Sequence, residues 1–306
     1  MQSYRERNVI TMKKTLFTGS GVAIITPFKD YHVDYEALGN IIEYQIANNT
    51  DAIIICGTTG ECATLSDAEH KKCLEYTLEK VNGRIPVIAG TGSNDTSYAV
   101  ELSRFASRAG ADGLLTVTPY YNKATTTGLI RHYNLIADAV DCPIIVYNVP
   151  SRTGCNITAP VYRELAKHPN IVGIKEASGN FSQVVDTFHE FGDVFDIYSG
   201  DDDQIVPMLS LGGKGVISVM ANAMPQETHD ICQLYFDGKV KESAALQLKL
   251  HSFARAIFCE VNPVPIKAVM EELGFCSGEL RLPLSEVEPQ NRAKLLAIMK
   301  DLGLKK

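Results

Sequence analysis

Lys175 closes the short apolar run Ile171-Val172-Gly173-Ile174-Lys175-Glu176. A lysine at the end of a buried strand carries a flexible amine into surroundings that disfavour charge, so its neutral, nucleophilic form becomes accessible. In water such an amine is neutral in about one molecule in 2,500 at pH 7, and each unit of pKa depression is worth roughly 1.4 kcal/mol. Full burial supplies several units, enough to make the amine a catalyst. The plainer reading is a strand-capping lysine that snorkels to solvent.

Other residues decide between the two. Gly57-Thr58-Thr59-Gly60-Glu61 offers two hydroxyls and backbone N–H groups in a tight turn, a nest for a carboxylate, or else a Gly-flanked turn whose threonine caps the next helix. Tyr147 has a phenol that both donates and accepts a proton, or is a core tyrosine with a satisfied hydroxyl. The fork of Arg152, in Ser151-Arg152-Thr153-Gly154, suits a substrate carboxylate, although a loop arginine also serves as a plain solvated charge. The pair Tyr120-Tyr121 reads as aromatic packing or an interface anchor. Gly90-Thr91-Gly92 lacks the third glycine of a dinucleotide fingerprint, and Gly212-Gly213-Lys214-Gly215 precedes a strand instead of opening a helix. Asp201-Asp202-Asp203 fits N-cap and dipole duty at a helix start better than a cation site.

These residues need a scaffold that gathers them. Eight short β-branched runs start at residues 21, 52, 86, 113, 144, 171, 196 and 215, each followed by helical periodicity. The spacing leaves room for a strand, a helix and two loops, and eight such units predict a closed (β/α)8 TIM barrel, with a doubly wound open sheet as the alternative. In a barrel the chemistry lies at the C-terminal strand ends, and the turn at 57–61, residues 118–122, Tyr147 and Lys175 all fall there. Strand alternation sends Lys175 and Gly173 inward, leaving space below the amine, with Val172 and Ile174 outward. Residues 1–18 are expected to be an extension and lead-in, 19–237 the barrel, and 238–306 a helical appendage joined through Asn262-Pro263-Val264-Pro265, where two prolines forbid a continuous helix. The first eleven residues read as a loose extension, with Met12-Lys13-Lys14 opening the folded part.

A net charge of −7 argues against nucleic acid or an anionic membrane as partner and favours a small molecule. Eight cysteines without a C-x-x-C pair read as reduced thiols of a cytoplasmic protein, and no run reaches membrane length.

Taken together, the turn at 57–61, Tyr147-Asn148-Val149-Pro150-Ser151-Arg152-Thr153-Gly154 and Gly173-Ile174-Lys175-Glu176-Ala177-Ser178 resemble the dihydrodipicolinate synthase (4-hydroxy-tetrahydrodipicolinate synthase) family, within the N-acetylneuraminate lyase-like class I aldolases. The resemblance runs from about Gly19 to Leu284 and includes residues 21–28, 198–202, 262–267 and 280–284. It implies condensation of pyruvate with L-aspartate 4-semialdehyde on the route to diaminopimelate and lysine, with a lysine Schiff base and neither metal nor cofactor. By motif position it makes Lys175 the nucleophile and Tyr147 the proton donor and acceptor. Thr58 and Tyr121 complete a proton relay, Tyr121 reaching into a neighbouring subunit of a homotetramer built as a dimer of dimers. Thr59, Gly200 and the backbone of Ile217 contact substrate, and Arg152 takes the semialdehyde carboxylate.

The resemblance also implies an inter-subunit lysine effector site with candidates Cys62, His70, Asn94, Tyr98 and Tyr120. Lysine-inhibited members commonly carry histidine and glutamate where this chain has Asp67 and Tyr98, so weak or absent feedback is expected. Sugar-acid aldolases of the same scaffold share the lysine and tyrosine, but the second threonine of the turn and the Ser151-Arg152-Thr153-Gly154 loop favour the small acidic semialdehyde. A non-catalytic sensor barrel would not need all four of Lys175, Tyr147, Thr58 and Arg152.

Overall fold

The structure, a computed structural model, describes residue 13 and residues 15–304. The expected loose extension at residues 1–11 lies outside the described residues, as do residues 12 and 14 of the expected start. The strands are β1 (Gly19–Ala23), β2 (Phe28–Lys29), β3 (His32–Val33), β4 (Ala52–Ile55), β5 (Val87–Gly90), β6 (Gly113–Val117), β7 (Ile144–Asn148), β8 (Ile171–Glu176), β9 (Asp196–Ser199) and β10 (Gly215–Ser218). The helices are α1 (Tyr35–Ala47), α2 (Asp67–Val81), α3 (Thr96–Ala109), α4 (Thr126–Ala137), α5 (Pro150–Thr153), α6 (Ala159–Leu165), α7 (Phe181–Phe191), α8 (Ile205–Ser210), α9 (Pro225–Phe236), α10 (Val240–Ala256), α11 (Val264–Glu272) and α12 (Pro289–Asp301).

Strands β1 and β4 to β10 close into one parallel barrel, β10 pairing back onto β1. This is the expected (β/α)8 barrel, and the doubly wound alternative falls. Both faces of each strand are covered, which is why the runs are almost wholly apolar. Ala52, Ile54, Ile88, Leu115, Ile145, Tyr147, Tyr198 and Ile217 fill the interior. Ile53, Ile55, Val87, Leu114, Val146, Ile174 and Val216 face the helices. Phe17 plugs the lower end, its ring stacked on Tyr198 at 4.5 Å between centroids and its carbonyl accepting from the Tyr198 hydroxyl at 2.7 Å. Closure relies on Gly215, whose φ of +145° and close pairing with Gly19 leave no room for a Cβ.

Three features depart from the sequence reading. The first strand runs Gly19–Ala23, two residues earlier than expected. A small hairpin, β2 with β3, turns through Asp30 and Tyr31, both at positive φ. No glycine marks that turn, and two-residue strands carry no period. A bulge in β8 pairs Ile144 with Ile171 but Ile145 with Gly173, so Ile171 faces the helices while Gly173 faces the interior. The space below Lys175 is therefore not empty: a Cβ on Gly173 would meet Ile145 and the Tyr198 ring at 3.4 and 3.6 Å.

Helix starts follow local chemistry. Ser66 and Glu69 form a reciprocal capping box on α2, and Asp34, Asp95, Thr125 and Asn180 cap α1, α3, α4 and α7. After β10, α9 packs on the barrel, α10 packs against α8 and α9, and α12 packs on α10 and α11. The break between α10 and α11 spans residues 257–263 and ends at Pro263, while Pro265 lies in the first turn of α11. Among the described residues no helix is long and apolar enough to cross a membrane.

Candidate active site

Parallel pairing of β7 with β8 puts Tyr147 directly beside Lys175. The amine lies 4.3 Å from the centre of the Tyr147 ring, and the lysine is only 5% exposed. Burial lowers its pKa to about 8, against the opposing pull of Asp201 and Asp202, with Arg152 adding to the depression. At pH 7 that leaves about one amine in ten neutral, over a hundredfold more than in water. Burial also pushes the Tyr147 phenol upward, so it stays protonated at neutral pH. The snorkelling alternative for Lys175 and the bland reading of Tyr147 both lose ground here, since the two line one cavity of about 300 Å³.

Above them, the turn after β4 contributes Gly57, Thr58 and Thr59 to the cavity wall. The turn is closed by Gly60 N–H donating to Gly57 O and Glu61 N–H donating to Thr58 O, at 3.1 and 3.0 Å. Its threonines do not cap the next helix, because Ser66 does. Thr59, 2% exposed, accepts from Asn262 Nδ2 at 3.0 Å. Arg152, on the short α5, also lines the cavity and donates to the Asn262 carbonyl at 3.1 Å. Gly200 forms part of the wall, where a Cβ would come within 3.2 Å of Lys175 Cε.

Among the polar residues of the wall, Asp201 and Asn262 were not expected as site residues. Asp201 lines the cavity, and burial and Asp203 raise its carboxyl to about 6 against the pull of Lys175. Of the expected N-cap and dipole duty, the position holds but the cap bond does not: Asp201 precedes the 3-10 turn Asp202–Gln204 that leads into α8, with Asp202 and Asp203 in its first turn, and makes no side-chain cap bond. Asp202 reaches instead across to the loop after β10, accepting from Ser218 Oγ, Val219 N and Met220 N. Its position after the seventh barrel strand was the available signal, overridden by local helix-cap logic. Asn262 and its neighbours Phe258 and Val261 come from the α10–α11 connection. A proline-rich joint gives no local hint that it faces a cavity 200 residues upstream in sequence. Ile217 lies in the barrel interior with its side chain fully buried, outside the cavity wall.

The arrangement gathers a buried amine, a phenol, two threonines and an arginine around one small cavity. A family model described as the Dihydrodipicolinate synthetase family matches residues 16–302. The chain belongs to the dihydrodipicolinate synthetase family. A relative from Acetivibrio thermocellus, named 4-hydroxy-tetrahydrodipicolinate synthase, is 52% identical over 96% of this chain and 100% of its own length. The solved dihydrodipicolinate synthase of Thermotoga maritima superposes with a TM-score of 0.93 at 41% identity, covering 95% of this chain and 100% of that one. That of Aquifex aeolicus gives 0.92 at 45% identity, covering 94% and 99%.

The other candidate residues lie apart from the cavity. Tyr121 is 90% exposed with φ of +71°, and it is not part of the cavity wall of the single chain. Of the effector candidates, His70 is buried with its Nε2 2.9 Å from the Gly90 carbonyl, and burial lowers its pKa. Tyr98 donates to Asp67 at 3.3 Å, the Asn94 carbonyl accepts from Asn122, Tyr120 is 37% exposed, and Cys62 opens a 3-10 turn half-buried. All eight cysteines are free thiols, Cys259 exposed among them.

Proposed function

We propose that this chain condenses pyruvate with L-aspartate 4-semialdehyde to 4-hydroxy-tetrahydrodipicolinate through a Schiff base on Lys175. The chain is an enzyme of the class I lyase type, acting on the route to diaminopimelate and lysine. The observation that carries the mechanism is the buried Lys175 amine against the Tyr147 ring, its pKa brought to about 8, in a cavity that also holds Thr58, Thr59 and Arg152.

The neutral amine attacks the keto carbon of pyruvate and water leaves, giving an iminium. Its positive nitrogen draws electrons from the methyl carbon, so a proton departs at modest cost and an enamine forms. Tyr147 is suited to carry that proton, because burial keeps the phenol protonated yet the hydroxyl can also accept. The enamine carbon attacks the aldehyde, whose oxygen takes a proton, and the substrate's own amine then attacks the iminium carbon and displaces Lys175. Thr59 holds pyruvate and Arg152 holds the semialdehyde carboxylate, a bidentate match. Gly200 bounds the pyruvate end. Thr58 and a partner's copy of Tyr121 complete the relay in a homotetramer.

The test is a coupled assay with both substrates, following NADPH consumption by an added dihydrodipicolinate reductase, alongside borohydride trapping of pyruvate. Turnover and trapping that both vanish in Lys175→Ala support the reading. Trapping without turnover would move the assignment to a sugar-acid lyase, whose second substrate is a sugar aldehyde, and no trapping would refute the Schiff base.

A further inference from the structure

The threonine turn is held from below by a buried charge pair contributed by the far end of the chain. Lys267, on α11, is fully buried, with its ammonium 2.5 Å from Glu61 Oε1, 2.6 Å from the Glu279 carbonyl and 4.0 Å from the centre of the Phe28 ring. Burial lowers its pKa, and the Glu61 side chain against it opposes that fall. Glu61 is equally enclosed at 4% exposed, and its other oxygen accepts from the Arg281 backbone N–H at 3.3 Å.

Glu61 is a poor place for a merely structural ion pair. Its backbone sits at φ of +51°, a left-handed conformation that costs a glutamate energy, and its N–H closes the turn onto Thr58 O. Two residues earlier, Thr59 is gripped by Asn262 of the same C-terminal segment, and between them the Gly60 carbonyl accepts from Thr26 Oγ1 at 2.7 Å. The turn is thereby fixed at three consecutive residues, 59, 60 and 61. Two of the three anchors come from the helical appendage.

We propose that Lys267 is a positioning residue for the reaction, acting through its ion pair with Glu61 to hold the turn that aims Thr58 and Thr59 into the cavity. The appendage is then part of the catalytic apparatus and not an ornament on the barrel. A buried pair suits this task because its distance is set by charge and its geometry by enclosure, whereas an exposed pair would wander. The inference rests on the Schiff-base reading, since it assigns the turn to pyruvate and to the relay.

Lys267→Met alone leaves a buried unpaired carboxylate, so the deciding variant is Glu61→Gln combined with Lys267→Met, which removes both charges. Three readouts are compared with the unaltered enzyme: borohydride trapping at saturating pyruvate, exchange of the pyruvate methyl protons for deuterium in D2O, and steady-state kinetics. The expected result is a folded double variant that is still trapped to full stoichiometry while methyl exchange and kcat fall at least tenfold and KM for pyruvate rises severalfold. Trapping and exchange lowered together would show a generally loosened fold instead of a misplaced turn and would overturn the proposal. A folded double variant with unaltered exchange and KM overturns the proposal. So does failure of both the single and the double variant to fold, which would make the pair structural alone. An unaltered enzyme that is not trapped refutes the Schiff-base reading itself.

Discussion

Burial moves the Lys175 amine from its ordinary value of 10.5 to about 8, and the same displacement acts on stability. Below pH 8 both folded and unfolded chains carry the proton, and the folded chain bears the whole desolvation cost, about 3 kcal/mol at most. Between pH 8 and 10.5 the folded chain releases its proton while the unfolded chain keeps it, so stability rises with pH through that window and levels off above it. Lys175→Met is therefore expected to abolish turnover yet stabilise the protein at pH 7 by about 1–3 kcal/mol, a gain that shrinks towards pH 10.5; urea unfolding at pH 7 and 10 measures it. In the unaltered enzyme kcat/KM should climb about tenfold per pH unit below 8 and flatten above. A second expectation concerns lysine as effector. Asp67 is already answered by the Lys71 ammonium at 2.8 Å and by the Tyr98 hydroxyl, and Tyr98 supplies no carboxylate for an incoming ammonium. Little inhibition by L-lysine at millimolar concentration should follow, and half-inhibition below 1 mM would overturn it (~1 mM as the dividing scale).

At the scale of elements, the ends of β7, β8 and β9 form the wall around the amine, and Gly200 just beyond β9 is its tightest point. A Cβ there would lie 2.7 Å from Ala177 Cβ, 3.1 Å from the Glu176 carbonyl and 3.2 Å from Lys175 Cε. One of these is backbone and cannot yield freely, so Gly200→Ala should displace the lysine stem. A loss of stability of about 1–3 kcal/mol and a fall in kcat of roughly 10- to 100-fold are expected, read by thermal unfolding and the coupled assay. The strand ends that carry Tyr147, Lys175 and the threonine turn were legible in sequence because parallel barrel strands are continuous apolar runs at helix-length spacing. The bulge at Val172 was not, because one extra residue in a run of β-branched side chains leaves the pattern unchanged while reversing which face Ile171 takes. Asp201 and Asn262 escaped for a related reason: a carboxylate run and a proline joint have strong local explanations, and only the folded chain shows that they also face the cavity. The Lys267–Glu61 pair spans more than 200 residues of chain, a distance over which no local period speaks.

For the whole molecule, the open question is what covers Tyr121. Its ring is 90% exposed in the single chain, and its left-handed backbone is one that a bulky residue adopts only when something repays the strain. Burying the ring against a second copy would contribute about 2 kcal/mol. It would also bring a phenol to a neighbouring cavity that already holds Tyr147 and Thr58, the two members of the relay supplied by one chain. Assembly and proton transfer should then fail together on dilution: specific activity is expected to fall in step with the loss of oligomer seen by sedimentation. Tyr121→Phe separates the two contributions, since it keeps the buried ring and removes only the hydroxyl. Its oligomer should survive dilution like the unaltered enzyme while kcat drops at least tenfold, in line with removal of a positioned proton carrier. Full activity in Tyr121→Phe would remove the phenol from the relay, and full activity in a monomer would make each barrel catalytically self-sufficient.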